Sequence, residues 1–534
     1  MDSGRGLLRS RGVGRTFRYN GLGMLAFPLL AVVAGVGLVL ALFGSFYMLL
    51  CWDLMLSYYQ GFWTLGGTRV DYTDVMIGCM VLALVLRGRR TEGEPFKLPY
   101  FKAWLTLAAF LTVCYLVHPQ NQRNLTDPVR ILYQLYRYCW KPLAYYPLVV
   151  LLLRDTVKID RALTCMVLGF DACAILAIRQ GYIGFEATPG PFGHGNAFAS
   201  ILVAPFMVCF GRLFYEKSKP MLAFSGISLA LMARALLFSE SRAGMASVAL
   251  SVAAFAGLMA TTPSGRKRLS QLAPLAVAGA LALLAVRPDL LLRPSVQHAM
   301  SVTDGTRAST MQWRMTERWP HFINLAIGSP ILGTGTAVDE SLGDAANTPH
   351  NGYIALAVRY GFPVAILYIF FGFGAFYNGV RAFLQTKATR TRLMAATLAA
   401  PLTGILAHNM IESTITAKEL LQNFFWILVG LNAVLRFQGD KLLNAEEREA
   451  LDRRRRKAEE EAWVNGWATP QHADGRAWNL GDDWENDPPP SWSDGPRDPP
   501  GDRPPRDRWA DGVVGGSTGD GGPMDPWAVP DRRP

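Results

Sequence analysis

Long apolar runs separated by short polar loops fill the chain up to about residue 436. They lie near residues 24–50, 73–88, 103–118, 131–153, 163–179, 196–214, 220–238, 243–260, 271–286, 351–376, 393–410 and 419–436. Several exceed the ~18 apolar residues that mark a bilayer-crossing helix. The pattern predicts an all-α, polytopic transmembrane bundle of about twelve spans. Arg5, Arg9, Arg11, Arg15 and Arg18 precede a first run that is too long for a signal-peptide core of ~7–15 residues, so it is read as a retained span.

The basic residues orient the bundle. Arg87, Arg89, Arg90 and Lys97, then Arg154, Lys158 and Arg161, then Arg212, Lys217 and Lys219 fall in alternate loops. Arg266, Lys267 and Arg268, and finally Arg381, Lys387, Arg390 and Arg392, continue the series. By the positive-inside rule these loops and both termini are cytoplasmic. The outer face then receives the loop Arg179–Gly195, the polar knot Ser239–Arg242, and a loop spanning 287–350 inside the membrane unit 1–436. A loop of that length is functional or unstructured. Within it, Ser309–Ile327 reads as an amphipathic helix with Met315, Trp319, Phe322, Ile323 and Ala326 on one face, stopped by Gly328-Ser329-Pro330. The acidic turn Asp339, Glu340 and Asp344 follows, then Asn347-Thr348-Pro349-His350-Asn351-Gly352-Tyr353 at the head of the next apolar run.

The formal charge of +11 is spread over these loops and forms no patch for nucleic acid. The seven cysteines have no CxxC pair and indicate neither a disulfide framework nor a zinc site. Residues 437–463 form a charged juxtamembrane helix, and 464–534, rich in Pro, Gly, Asp and well-separated Trp, cannot bury enough apolar surface to fold. That tail is a solvated cytoplasmic segment or a partner-binding one.

The candidate chemistry lies on the outer face. Arg179 and Arg242 end or begin spans there, and a guanidinium matches phosphate oxygens with a rigid fork; each could instead snorkel as a helix-end anchor. His350 can accept a proton from a hydroxyl near neutral pH, unless Pro349-His350-Asn351 serves only as a helix cap. His408 with Glu412 one turn later is either a structural hydrogen bond or a second acid/base element. Asp171, at mid-span, is expected to pair with Lys141 or Arg137 of the preceding span. No HExxH, DxD, Walker A or GxGxxG pattern is present, so neither a metal nor a cofactor is expected.

From about residue 165 to 415 these pieces resemble the O-antigen ligase and Wzy-type polysaccharide polymerase superfamily. The carriers are Gly190-Pro191-Phe192-Gly193-His194-Gly195-Asn196, Ser241-Arg242-Ala243-Gly244, Trp319…Pro330…Gly333-Thr334-Gly335, and His350-Asn351 with Gly361. The resemblance implies a metal-independent glycosyltransferase of the bacterial cytoplasmic (inner) membrane, active on its extracytoplasmic face. Its donor would be an undecaprenyl-diphosphate-linked glycan. By position, Arg179 and Arg242 would bind the diphosphate and His350 would activate the acceptor hydroxyl. An arginine about one turn ahead of the loop tryptophan is also a feature of the family, and here either Arg314 or Arg318 could fill that place. Ser241, Asn351, Asn196, His408 and Glu412 are candidate supporting residues. A lipid-A core acceptor makes the enzyme a ligase, and a second lipid-linked repeat makes it a polymerase. Membrane lipids and a chain-length regulator are candidate partners. A transporter or flippase, and a scaffold acting through the tail, are the readings from other classes.

Overall fold

The computed structural model describes residues 62–87, 98–117, 128–183, 190, 195–271, 312–335 and 349–438, apart from a few positions inside these ranges, and isolated residues near 35, 50–54 and 453–457. The spans expected near 24–50 and 271–286, most of the 287–350 loop with its acidic turn, and the tail lie outside the described residues. The first complete element among the described residues is a hairpin of β1 (Phe62–Leu65) and β2 (Thr68–Asp71), antiparallel with Phe62 opposite Asp71. Helices α1 (Tyr72–Arg87), α2 (Phe101–Val117), α3 (Pro128–Leu135) and α4 (Lys141–Leu152) follow. Next come α5 (Thr156–Tyr182), α6 (Gly195–Tyr215), α7 (Lys219–Phe238) and α8 (Arg242–Ala260). The chain continues with α9 (Trp319–Gly328), α10 (Gly352–Gln385), α11 (Thr389–Ile411) and α12 (Glu419–Gln438). Apart from this hairpin the described elements are helical, in keeping with the expected helical bundle. The hairpin's signal in the sequence is Gly66-Gly67 between two short runs of β-formers, a two-residue turn pattern.

Helices α5, α6, α7, α8, α10 and α11 are each long and apolar enough to cross a membrane. The chain is a multi-pass membrane protein. Its centre is α11, which packs on α6, α8, α10 and α12. Small residues permit the close approach, as is usual between helices in lipid. A Cβ at Gly404 would meet Ser247 O at 2.3 Å, and one at Gly379 would meet the Ala399 side chain at 2.5 Å.

Prolines shape the local structure. A π turn, Tyr136–Trp140, joins α3 to α4, and another, Arg314–Arg318, precedes α9. In each, the residue after the turn reaches back five positions, Lys141 to Tyr136 O and Trp319 to Arg314 O. In each, a proline (Pro142 or Pro320) comes next, with no N–H to continue the ladder. The expected face of the 309–327 helix is only partly observed: Phe322 and Ala326 are buried, whereas Met315 and Ile323 are exposed. The stop at Gly328 is as expected.

In α10 the helix breaks at Gly361 (φ 85°, ψ 167°), just before Pro363. The carbonyls released by the break are taken by the chain after α9. Thr334 N–H donates to Val358 O at 2.6 Å and Gly335 N–H to Arg359 O at 3.1 Å, while Phe362 N–H donates to Pro330 O at 2.8 Å. A side chain at Gly361 would strike Ile331 O at 2.1 Å. The Gly333-Thr334-Gly335 turn and Gly361 are thus two halves of one joint.

The pairing expected for Asp171 is not formed. Its Oδ2 accepts from Ser228 on α7 at 2.6 Å, while Lys141 Nζ lies 2.8 Å from Asp71 and 2.7 Å from Asp74. Consecutive helices were expected to be neighbours, but α4 packs on α12 and α1, and α5 packs on α7 and α6.

Candidate functional site

A chain of contacts brings the polar knots to one end of the bundle. Gln180 near the end of α5 donates to Gly190 O at 3.2 Å, and Gly190 (φ 55°) rests on the Phe198 ring at the start of α6. A Cβ on Gly244 at the start of α8 would meet Ala199 at 2.3 Å, so only a glycine lets α8 begin against α6. Ser241 caps α8 by accepting from Gly244 N–H at 3.1 Å. One turn into α8, Ser247 Oγ lies 3.2 Å from His408 Nδ1 on α11. The amino-terminal ends of α6, α8 and α10 therefore gather here, and their partial positive charge favours an anion.

At the head of α10, Asn351 is the cap, accepting from the N–H groups of Tyr353 (3.0 Å) and Ile354 (3.1 Å). His350 is consequently free of that duty. Its backbone takes φ 48°, a left-handed conformation that a non-glycine residue adopts at a cost of about 1 kcal/mol or more. The peptide ahead of it is pinned, since Trp319 Nε1 donates to Pro349 O at 2.9 Å. This turn aims the imidazole at the carboxylate of Glu412, just past the end of α11, with Nδ1 to Oε2 at 3.0 Å. An ionised carboxylate only accepts, so Nδ1 carries the proton in this contact, and in the neutral imidazole the lone pair is then on Nε2. The His350 side chain is 32% exposed, so the imidazole is not sealed in the core.

Glu412 is held from three sides. Asn196 Nδ2 donates to its Oε1 at 3.0 Å, and Arg314 Nη2 lies 3.6 Å from the same oxygen. Arg314 also donates to Ile411 O at 3.0 Å. Burial alone would push the Glu412 carboxyl up. The hydrogen bond and charge of His350, with the charges of Arg314 and His408, outweigh that and hold it below the usual carboxylate range.

The structure therefore joins His350, Glu412, Asn196 and Arg314 in one cluster. It also separates the pair expected within α11, because Glu412 binds His350 while His408 binds Ser247. Of the two loop arginines, Arg314 touches Glu412, whereas Arg318 is buried one turn later with its guanidinium 5.0 Å from the Trp313 ring. Arg242 is exposed in the first turn of α8, and Arg179 is exposed in the last turn of α5. Pairing of Glu412 with His350 had no local signal, because the two are 62 positions apart.

Residues 227–369 match the family described as O-antigen ligase. The interval contains Ser241–Gly244, Arg314, Arg318, Trp319, the Gly333–Gly361 joint, His350 and Asn351, and it shows the superfamily resemblance there. No curated protein is similar enough to the chain to count as a match.

Proposed function

We propose that this chain, similar to the O-antigen ligase family over residues 227–369, transfers an undecaprenyl-diphosphate-linked glycan to an acceptor hydroxyl outside the cytoplasmic membrane. The observation that carries the reading is the His350–Glu412 pair at 3.0 Å, with Arg314 beside it, at an end of the bundle where three helices begin.

In this mechanism Nε2 of His350 takes the proton of the acceptor hydroxyl as its oxygen attacks the anomeric carbon. The bond from that carbon to the diphosphate breaks, and the electron pair leaves with the diphosphate. Glu412 fixes the imidazole in the required tautomer and offsets the imidazolium charge, as a carboxylate does for a histidine base elsewhere. Arg314, Arg318, Arg242 and Arg179 supply the cations for the diphosphate, which needs charge stabilisation in departing. Ser241, Asn351 and Asn196 hold the helix ends and the carboxylate in place, and His408 braces α11 against α8.

A transporter is less well supported. Of the embedded charges that suggested it, Lys141 is taken by Asp71 and Asp74, and Asp171, which the missing pairing leaves in its favour, has the Ser228 hydroxyl on one oxygen. The test is reconstitution of the purified chain with a synthetic undecaprenyl-diphosphate glycan. Lipid-A core and a second lipid-linked repeat are offered separately, and products are read by mass spectrometry. Transfer to the core identifies a ligase, and lengthening of the lipid-linked chain a polymerase. No transfer to either acceptor would count against the proposal.

A further inference from the structure

The His350–Glu412 contact is the last of three that tie the head of α10 to the end of α11. The Tyr353 hydroxyl donates to Leu406 O at 2.9 Å. A Cβ on Gly352 would lie within 2.5 Å of Cγ, Oδ1 and Nδ2 of Asn409, so the α10 backbone sits directly against that amide. His350 Nδ1 then meets Glu412 Oε2 at 3.0 Å. The partners run in opposite directions, 353, 352 and 350 against 406, 409 and 412, as two antiparallel helix ends require. Asn409 is fully buried and Tyr353 half-buried, whereas the His350 side chain is partly exposed.

The other supports of the pair hold one member each. Asn196 and Arg314 fix the Glu412 carboxylate, while Trp319 and the Asn351 cap fix the backbone around His350. None of those contacts joins α10 directly to α11. The Tyr353 and Gly352 contacts do, and they oppose sliding of one helix along the other at this end. A carbonyl oxygen has two lone pairs, so Leu406 O can serve both its own helix and the hydroxyl. At position 352 only a glycine fits, because α11 is packed on α6, α8, α10 and α12 and the buried Asn409 side chain has no room to retreat. A shift of ~1 Å in a catalytic group can cost about 10²-fold in rate, so this register bears directly on the dyad.

We propose that Gly352, Tyr353 and Asn409 are positioning residues for the transfer reaction: they set the register of α10 on α11 and so hold the His350 imidazole on Glu412. The role rests on the glycan-transfer reading, in which that pair activates the acceptor hydroxyl. The full chain and its variants are reconstituted in phospholipid vesicles with a synthetic undecaprenyl-diphosphate glycan and, separately, lipid-A core or a second lipid-linked repeat. Turnover at saturating donor and retention of donor are measured in the same samples. Gly352→Ala should slow turnover by about 10²-fold with donor retained at the wild-type level. Adding Asn409→Ala, which makes room for the methyl group, should restore about tenfold, since the two residues are in contact. In a Glu412→Gln background Gly352→Ala should cost less than about threefold more, because the pair it positions is already broken. Wild-type turnover in Gly352→Ala, donor lost in step with turnover, no recovery in the double variant, or an undiminished loss on top of Glu412→Gln overturns the role. If Gly352→Ala does not fold, Tyr353→Phe, which removes only the hydroxyl, must lower turnover at unchanged donor retention and have no effect in Glu412→Gln. Equal loss in both backgrounds, or no loss in either, overturns it. Failure of the wild type to transfer to either acceptor removes the reaction and this role with it, whereas wild-type transfer with an indifferent Gly352→Ala removes the role alone.

Discussion

Replacing Glu412 with glutamine keeps the shape of the side chain and removes its charge. At about 3 Å and an effective dielectric near 20, the attraction between Glu412 and a protonated His350 is on the order of 5 kcal/mol. The imidazole is 32% exposed, so solvent screens much of this. About 1.5–3 kcal/mol, the usual worth of a charge-assisted hydrogen bond, is the better figure. Glutamine also presents an amide NH2 to a donor on one side or the other, because Oε1 faces Asn196 and Arg314 while Oε2 faces His350. Turnover should therefore fall by roughly 10- to 100-fold at saturating donor. In a His350→Ala background the same substitution should change turnover by less than about threefold, since residues acting as a unit are not additive. The assay is initial-rate glycan transfer by the four reconstituted proteins. Turnover of Glu412→Gln within twofold of wild type, or a full additional loss on top of His350→Ala, would refute the dyad.

Gly361→Ala should lower the yield of folded protein and its melting temperature, because the new methyl group meets Ile331 O at a backbone of φ 85°. An unchanged melting temperature would mean the joint relaxes freely. Lys141→Met strands Asp71 and Asp74, which are 13% and 9% exposed, and should destabilise by about 3–5 kcal/mol. Adding Asp71→Asn and Asp74→Asn should recover most of the loss in a thermal melt; no recovery would show that the lysine acts by packing. The Glu412 carboxyl is depressed in the folded protein, so its contribution to stability is present above the unfolded value of ~4.3 and is lost as pH falls through the lower folded value. Thermal melts between pH 7 and the acid limit should show this loss in wild type and not in Glu412→Gln; parallel curves would contradict it.

Helix boundaries were legible where apolar period and caps agreed. The run near 196–214 became α6 and that near 243–260 became α8, each within a residue or two. The π turns precede Pro142 and Pro320, and the exposure of Ile323 reflects how narrow a stripe of the short helix Trp319–Gly328 is covered, only Phe322 and Ala326 being buried. Some of the cluster's members were legible too, since His350, Arg314 and Asn196, singled out in the sequence, meet around Glu412. Which partner each takes was not. Spacing of one turn favoured His408 with Glu412, yet the carboxylate sits past the last turn of α11 and turns outward to His350. Helix adjacency failed in the same way for Asp171, because tertiary packing and not chain order decides which buried charges meet.

The central claim is that His350 takes the acceptor proton while the arginines hold the diphosphate. The most direct measurement is single-turnover transfer from an isotope-labelled undecaprenyl-diphosphate glycan by reconstituted wild type and His350→Ala, with bound donor quantified in the same samples. The account predicts that His350→Ala retains donor near the wild-type level while the transfer step slows by about 10²–10⁴-fold. Transfer by His350→Ala at the wild-type rate, or loss of donor binding in step with activity, would contradict it.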